Sequence, residues 1–137
     1  ETLRDDVAGH FDDGDLDLYA ARFDQFPLGD PSQPFAFPAD ATAPGNILWR
    51  GSERGVFTDA TQDEGVGSNV PSVGALGCDI NRDGSLDLVV TGWAKSPTVY
   101  LNQREGPFVA VTPWASQMPG PAAGAAALDF DHDGWMD

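Results

Sequence analysis

A single cysteine, Cys78, in 137 residues excludes an intrachain disulfide. Its apolar neighbour Leu76 marks it as a buried small hydrophobe. Basic residues are scarce: 7 Lys and Arg stand against 22 Asp and Glu, a net charge of −15. That balance excludes the basic footprint that nucleic-acid binding needs. No apolar run reaches the ~18 residues of a transmembrane helix, so no membrane span is expected. The two histidines, His10 and His132, both fall inside acidic loop segments, where general-base work is not expected. No Ser or Cys has a partner at a spacing that would activate a nucleophile, so catalysis within this chain is not expected either.

What the chain has in quantity is aspartate at alternate positions. Asp79-Ile80-Asn81-Arg82-Asp83-Gly84-Ser85-Leu86-Asp87 carries an oxygen-bearing side chain at every second place and glycine at the sixth. The pattern returns as Asp129-Phe130-Asp131-His132-Asp133-Gly134-Trp135-Met136-Asp137. A shortened copy runs His10-Phe11-Asp12-Asp13-Gly14-Asp15-Leu16-Asp17. Ca²⁺ takes six to eight oxygens at about 2.3–2.6 Å, and alternate side chains plus one backbone carbonyl supply them from one tight turn. The candidate ligands are therefore Asp79, Asn81, Asp83, Asp87 and the carbonyl of Ser85 in the second loop. In the third they are Asp129, Asp131, Asp133, Asp137 and the carbonyl of Trp135. In the first they are Asp12, Asp13, Asp15 and Asp17, with His10 a poor first ligand, so weak binding or none is expected there. Eleven of the acids lie in these three loops (Asp12, Asp13, Asp15, Asp17, Asp79, Asp83, Asp87, Asp129, Asp131, Asp133 and Asp137). Without cations they repel one another.

Acidic Asp-Gly turns also form without any metal, because both residues favour turns. Two full matches and one partial match weigh against that alternative. An EF-hand closes with Glu at its twelfth position and runs into a helix. Here the twelfth position from Asp79 is Val90, within the β-branched run Leu88-Val89-Val90-Thr91, so the loop leads into a strand and Asp87 closes the site. Paired cysteines, which a thrombospondin-type run of calcium loops would carry, are missing.

The loops belong to a repeat. Asp13, Gly14, Leu16, Asp17 and Leu18 match Asp83, Gly84, Leu86, Asp87 and Leu88 at an offset of 70. Trp49, Gly55, Phe57 and Thr61 match Tyr100, Gly106, Phe108 and Thr112 at an offset of 51, and the second and third loops match at 50. The repeats span about 7–61, with an insertion over 23–45, then about 73–112, and then the start of a third over about 123–137. The insertion carries Pro27, Pro31, Pro34, Pro38 and Pro44 with four phenylalanines. It reads as a long excursion, either a distinctive binding surface or a lid over a neighbouring unit. Strands are predicted over 7–11, 16–22, 46–50 and 55–59, then 73–78, 86–93, 98–102 and 107–111, and last 123–130. Four antiparallel strands per unit is the pattern of a β-propeller blade. The expected fold is thus all-β, about two and a half blades of a larger propeller whose remaining blades lie elsewhere in the parent chain. The Trp and Tyr side chains are expected mainly in packing between blades, with Trp135 pointing outward.

The order of apolar strand, Asp-x-Asp/Asn-x-Asp-Gly-x-Leu-Asp-Leu loop and strand, followed by Asn46-Ile47-Leu48-Trp49-Arg50 through Gly55-Val56-Phe57-Thr58-Asp59, resembles FG-GAP/VCBS repeats. These form the calcium-binding propellers of integrin α-subunit type, and the nearest flavour is that of secreted bacterial proteins similar to cartilage acidic protein. The resemblance implies calcium in the loop between the first and second strands of each blade and a secreted or cell-surface location. It also implies a role in adhesion or in binding a protein or carbohydrate ligand. The alternative is the scaffold of a propeller hydrolase or polysaccharide lyase whose active site lies in other blades.

Overall fold

Residues 87–92 read Asp-Leu-Val-Val-Thr-Gly, a β-branched run that suits a strand buried on both faces. The computed structural model, which describes residues 14–23, 43–93, 95–118 and 120–137, places a wholly buried strand there. The described residues are all-β, with seven strands and no helix. They are β1 (Leu18–Ala20), β2 (Ile47–Arg50), β3 (Thr58–Asp59), β4 (Ser72–Cys78), β5 (Asp87–Gly92), β6 (Thr98–Leu101) and β7 (Val109–Val111). They form two antiparallel sheets in chain order, β1-β2-β3 and β4-β5-β6-β7, as in propeller blades. No helix among these residues is long and apolar enough to cross a membrane.

The registers of the two sheets carry the repeat. Leu18 pairs with Trp49 as Leu88 pairs with Tyr100, and Trp49 pairs with Asp59 as Tyr100 pairs with Ala110. The hairpins after β2 and β6 turn on Gly55 at φ +70° and Gly106 at φ +94°. Side chains alternate across the second sheet with period two. Leu88, Val90 and Tyr100 face the first sheet and pack with Leu48, Ala60, Val66 and Phe108, flanked by Tyr19 and Leu86. Cys78, Val89 and Val99 face the other way, against Trp114 and Ala127. Each such aliphatic side chain, fully buried, contributes about 1.5–3 kcal/mol. The sheets thus stack face to face. One polar junction ties them together: buried Asn46 accepts from the Arg22 N–H (3.0 Å) and donates to the Tyr19 hydroxyl (2.8 Å) and to Ser72 Oγ (3.0 Å).

Several expectations need correction. The strand read over 55–59 is only Thr58–Asp59, because Ser52 closes a turn that accepts the Gly55 N–H at 2.7 Å and binds Val56 through its hydroxyl. The stretch 123–130 is not a strand, since a strand needs a ladder and only its first rung is present, Asp137 N–H to the Leu128 carbonyl at 2.8 Å. That rung has its counterpart in the Cys78–Asp87 pair. The strand expected over 7–11 and most of the insertion, 24–42, lie outside the described residues.

Candidate metal centre

The second loop joins β4 to β5, so a strand pair clamps both ends of its nine residues. Its turn is set by two residues of positive φ, Arg82 at +60° and Gly84 at +83°. That geometry points successive N–H groups inward at the acidic side chains. Gly84 donates to Asp79 Oδ2 (2.9 Å), Asp83 to Asp79 Oδ1 and Asn81 Oδ1 (both 3.1 Å), and Ser85 to Asp83 Oδ1 (2.8 Å). Asn81 Nδ2 also donates to Asp83 Oδ2 at 2.8 Å. This amide holds the Asp83 carboxyl below the usual carboxylate range, aided by the Ser85 N–H and the positive charge of Arg104.

The third loop repeats the second. His132 and Gly134 take φ +62° and +87°. Gly134 donates to Asp129 Oδ2 (2.9 Å), Asp133 to Asp131 Oδ1 (3.2 Å) and Trp135 to Asp133 Oδ1 (2.8 Å). In each loop the ninth residue reaches back to the second: Asp87 Oδ2 accepts the Ile80 N–H at 3.0 Å, and Asp137 Oδ2 accepts that of Phe130 at 2.8 Å. Among the described residues, Asp129, Asp131 and Asp137 each bring one carboxylate oxygen into a group whose members lie within 4.8 Å of one another. Asp129 Oδ1 is screened from solvent and has no donor. An anionic oxygen shielded from water without a partner is costly, and three converging carboxylates make it more so. A hard divalent cation suits this donor set.

Asp87 is fully buried at the start of β5. Burial pushes its carboxyl up from the ordinary value, while the Asn102 and Ile80 N–H groups pull it down and the charges of Asp83 and Asp79 raise it further. Its other oxygen, Oδ1, accepts the Asn102 N–H at 2.8 Å and so fixes the end of β6. The first loop keeps this device, since Asp17 Oδ1 accepts the Gly51 N–H at 2.9 Å. Gly14 likewise takes φ +99°. Asp15 and Asp17 are described, whereas His10, Asp12 and Asp13 lie outside the described residues, so a complete first ligand set is not assembled among them.

Two arginines escaped the reading of the sequence. Arg104, in the turn after β6, donates through Nε to Ser85 Oγ at 2.6 Å and through Nη2 to the Asp83 carbonyl. Arg82 leaves its own loop and lies over Trp135, its Cζ 5.0 Å from the ring centroid. Neither forms an ion pair with a carboxylate of the two loops. Both cations touch carbonyl, hydroxyl or ring, and Arg104 acts on the Asp83 carboxylate through its charge alone. A lone Arg at the tip of a hairpin among so many acids was the signal available for Arg104, but hairpin tips are commonly solvated and the long-range contact is not encoded locally. No curated protein and no solved structure matches the chain. Residues 79–137, which hold both complete loops and strands β5 to β7, match the family model of the FG-GAP-like repeat, and this match supports an FG-GAP repeat protein.

Proposed function

We propose that this chain is a calcium-braced propeller segment that serves as a binding scaffold outside the cytoplasm, in adhesion or in holding a protein or carbohydrate ligand, rather than as a catalyst. The observation that carries the metal reading is the convergence of Asp129, Asp131 and Asp137, with Oδ1 of Asp129 screened from solvent and without a donor. Calcium in the third loop would be held by Asp129, Asp131, Asp133, Asp137 and the Trp135 carbonyl. In the second, Asp79, Asn81, Asp83, Asp87 and the Ser85 carbonyl would hold it. The ion supplies positive charge that binds the two ends of each loop together and relieves carboxylate repulsion; the chain's residues supply the fixed turn. A location outside the cytoplasm is part of the same reading, since extracellular calcium modules bind at about 10⁻⁴–10⁻³ M and fill where calcium is millimolar.

Binding to the folded chain alone raises its stability by mass action. Millimolar Ca²⁺ is therefore expected to raise the melting temperature, and Asp83→Ala or Asp133→Ala to remove most of that rise, whereas Asp13→Ala removes little. Differential scanning calorimetry with calcium against EDTA reads the effect. An unchanged Tm in calcium for the unmodified chain would sink the metal reading.

A further inference from the structure

We infer that the cleft between the two sheets, at the end of β5 away from its metal loop, binds a short oligosaccharide carrying one carboxylate, an inference that rests on the binding-scaffold reading above and deepens it. β5 begins at Asp87 in the second loop and ends at Gly92, about 17 Å away by strand rise. At that far end a cavity of about 300 Å³ opens beside Thr91 and Thr98. A second, of about 320 Å³, adjoins it and shares the wall Gly67, Ser68 and Asn69. Both lie at the lower end of the range for ligand pockets. The walls are held in place by hydrogen bonds of their own. The Trp93 N–H donates to the Pro71 carbonyl at 3.1 Å and Ser96 Oγ to the Met118 carbonyl at 2.6 Å, so the turn between β5 and β6 is tied on both sides of Lys95. Ser68 accepts the Val70 N–H at 3.2 Å and shares a hydrogen bond with Tyr100.

The chemistry of the lining selects the ligand. The chain has 22 acids and a net charge of −15, yet no carboxylate lines either cavity. Lys95, the sole lysine of the sequence, lines the first. Among the described residues no ion pair holds its ammonium, and no side-chain hydrogen bond engages the Asn69 amide or the Thr98 hydroxyl. Hydroxyls and amides both donate and accept, as the hydroxyls of a sugar ring do. Gln62 supplies a further amide in the second cavity. A peptide strand has no ladder to join, because β5 is paired by β4 and β6, and β6 by β5 and β7. A polyanion is repelled by the field of a chain at −15. One carboxylate on Lys95, with neutral rings beside it along Asn69 and Gln62, meets both conditions.

The test is a titration of the full ¹⁵N-labelled chain, in calcium, with a trisaccharide of one glucuronate and two neutral rings, followed through the backbone amide shifts. The methyl ester of the same trisaccharide and a short acidic peptide are the comparison probes, and the ester needs no variant. The expected shifts gather at Gly67, Asn69, Lys95 and Thr98. Esterification and Lys95→Gln each weaken binding about two- to fivefold, the size of one exposed ion pair, and Lys95→Arg restores it. Gln62→Ala weakens acid and ester alike. Shifts confined to 79–87 and 129–137 overturn the proposal by placing the sugar on the metal loops. Binding that Lys95→Gln leaves unchanged overturns the role of Lys95. The acidic peptide in the groove with no sugar bound overturns the carbohydrate class and leaves the scaffold reading standing. A chain that ignores the trisaccharide but binds on an array of neutral glycans and extracellular proteins loses this site and keeps the scaffold reading. One that binds none of these probes loses both.

Discussion

The two oxygens of Asp87 do different work from those of its counterpart Asp137, although both close a nine-residue loop. Asp87 is buried and accepts two N–H groups, Ile80 within the loop and Asn102 beyond β6. Asp137 is exposed and accepts Phe130. Truncating Asp87 to Ala leaves two donors unpaired in a water-poor site, at about 1–3 kcal/mol for each such group that stays unsatisfied. Asp87→Ala is therefore expected to lower stability in EDTA by about 2–4 kcal/mol, whereas Asp137→Ala costs under about 1 kcal/mol. Urea titration of both variants without calcium separates this structural role from metal binding; equal losses would show that the Asn102 contact carries no weight. The alternating aspartates were legible in the sequence because ligand spacing is local. The tie to Asn102, the reach of Arg104 to Ser85 and the stacking of Arg82 on Trp135 were not, since each joins segments that only the folded chain brings together.

At the scale of the element, glycine separates the hairpins that pack closely from those that merely turn. Gly51 follows β2 directly, and a Cβ there would stand 2.2 Å from the Leu16 carbonyl oxygen, so the two backbones touch at this point. Gly55, three residues of turn later, has open space around it but holds φ at +70°. Gly51→Ala must push the chain entering β1 away and loosen the Asp17–Gly51 hydrogen bond, with an expected cost of about 2–3 kcal/mol. Gly55→Ala meets only the left-handed backbone penalty of about 1–2 kcal/mol. Thermal melts of the two variants check the order, and a Gly55 variant less stable than the Gly51 variant contradicts it. The strands themselves were largely legible: β4, β5 and β6 lie within a residue or two of the alternating and β-branched runs that announced them. The strand over 55–59 was overread because Val56 and Phe57 supply β propensity inside a turn fixed by Ser52 and Gly55. The strand over 123–130 was overread because propensity cannot supply a ladder partner.

For the molecule as a whole, the interface between the sheets rests on two tyrosines whose hydroxyls stay protonated. Tyr19 donates to the Val66 carbonyl at 3.0 Å and receives the Asn46 amide, and Tyr100 is buried among Leu48, Leu88 and Val90. Burial pushes both phenols above their ordinary value; the Asn46 hydrogen bond offsets part of this for Tyr19, and a hydrogen bond with Ser68 part of it for Tyr100. A group whose pKa is raised by folding contributes stability that is fully present below its unfolded value, here about 10, and lost as pH rises through the folded one. Stability is therefore expected to hold through pH 9 and to fall above about 10. Rising negative charge on a chain already at −15 acts in the same direction, so the decline alone does not identify its cause. Tyr19→Phe resolves the two contributions. It removes the hydrogen bonds to Val66 and from Asn46 and so lowers stability at neutral pH. It also removes an ionisable group that folding holds neutral, so its Tm falls less steeply between pH 9 and 11 than that of the unmodified chain. Melting curves at half-unit intervals of pH give both slopes. Parallel slopes would assign the alkaline loss to net charge and Tyr100 and leave the buried hydroxyl of Tyr19 a purely hydrogen-bonding role between the sheets.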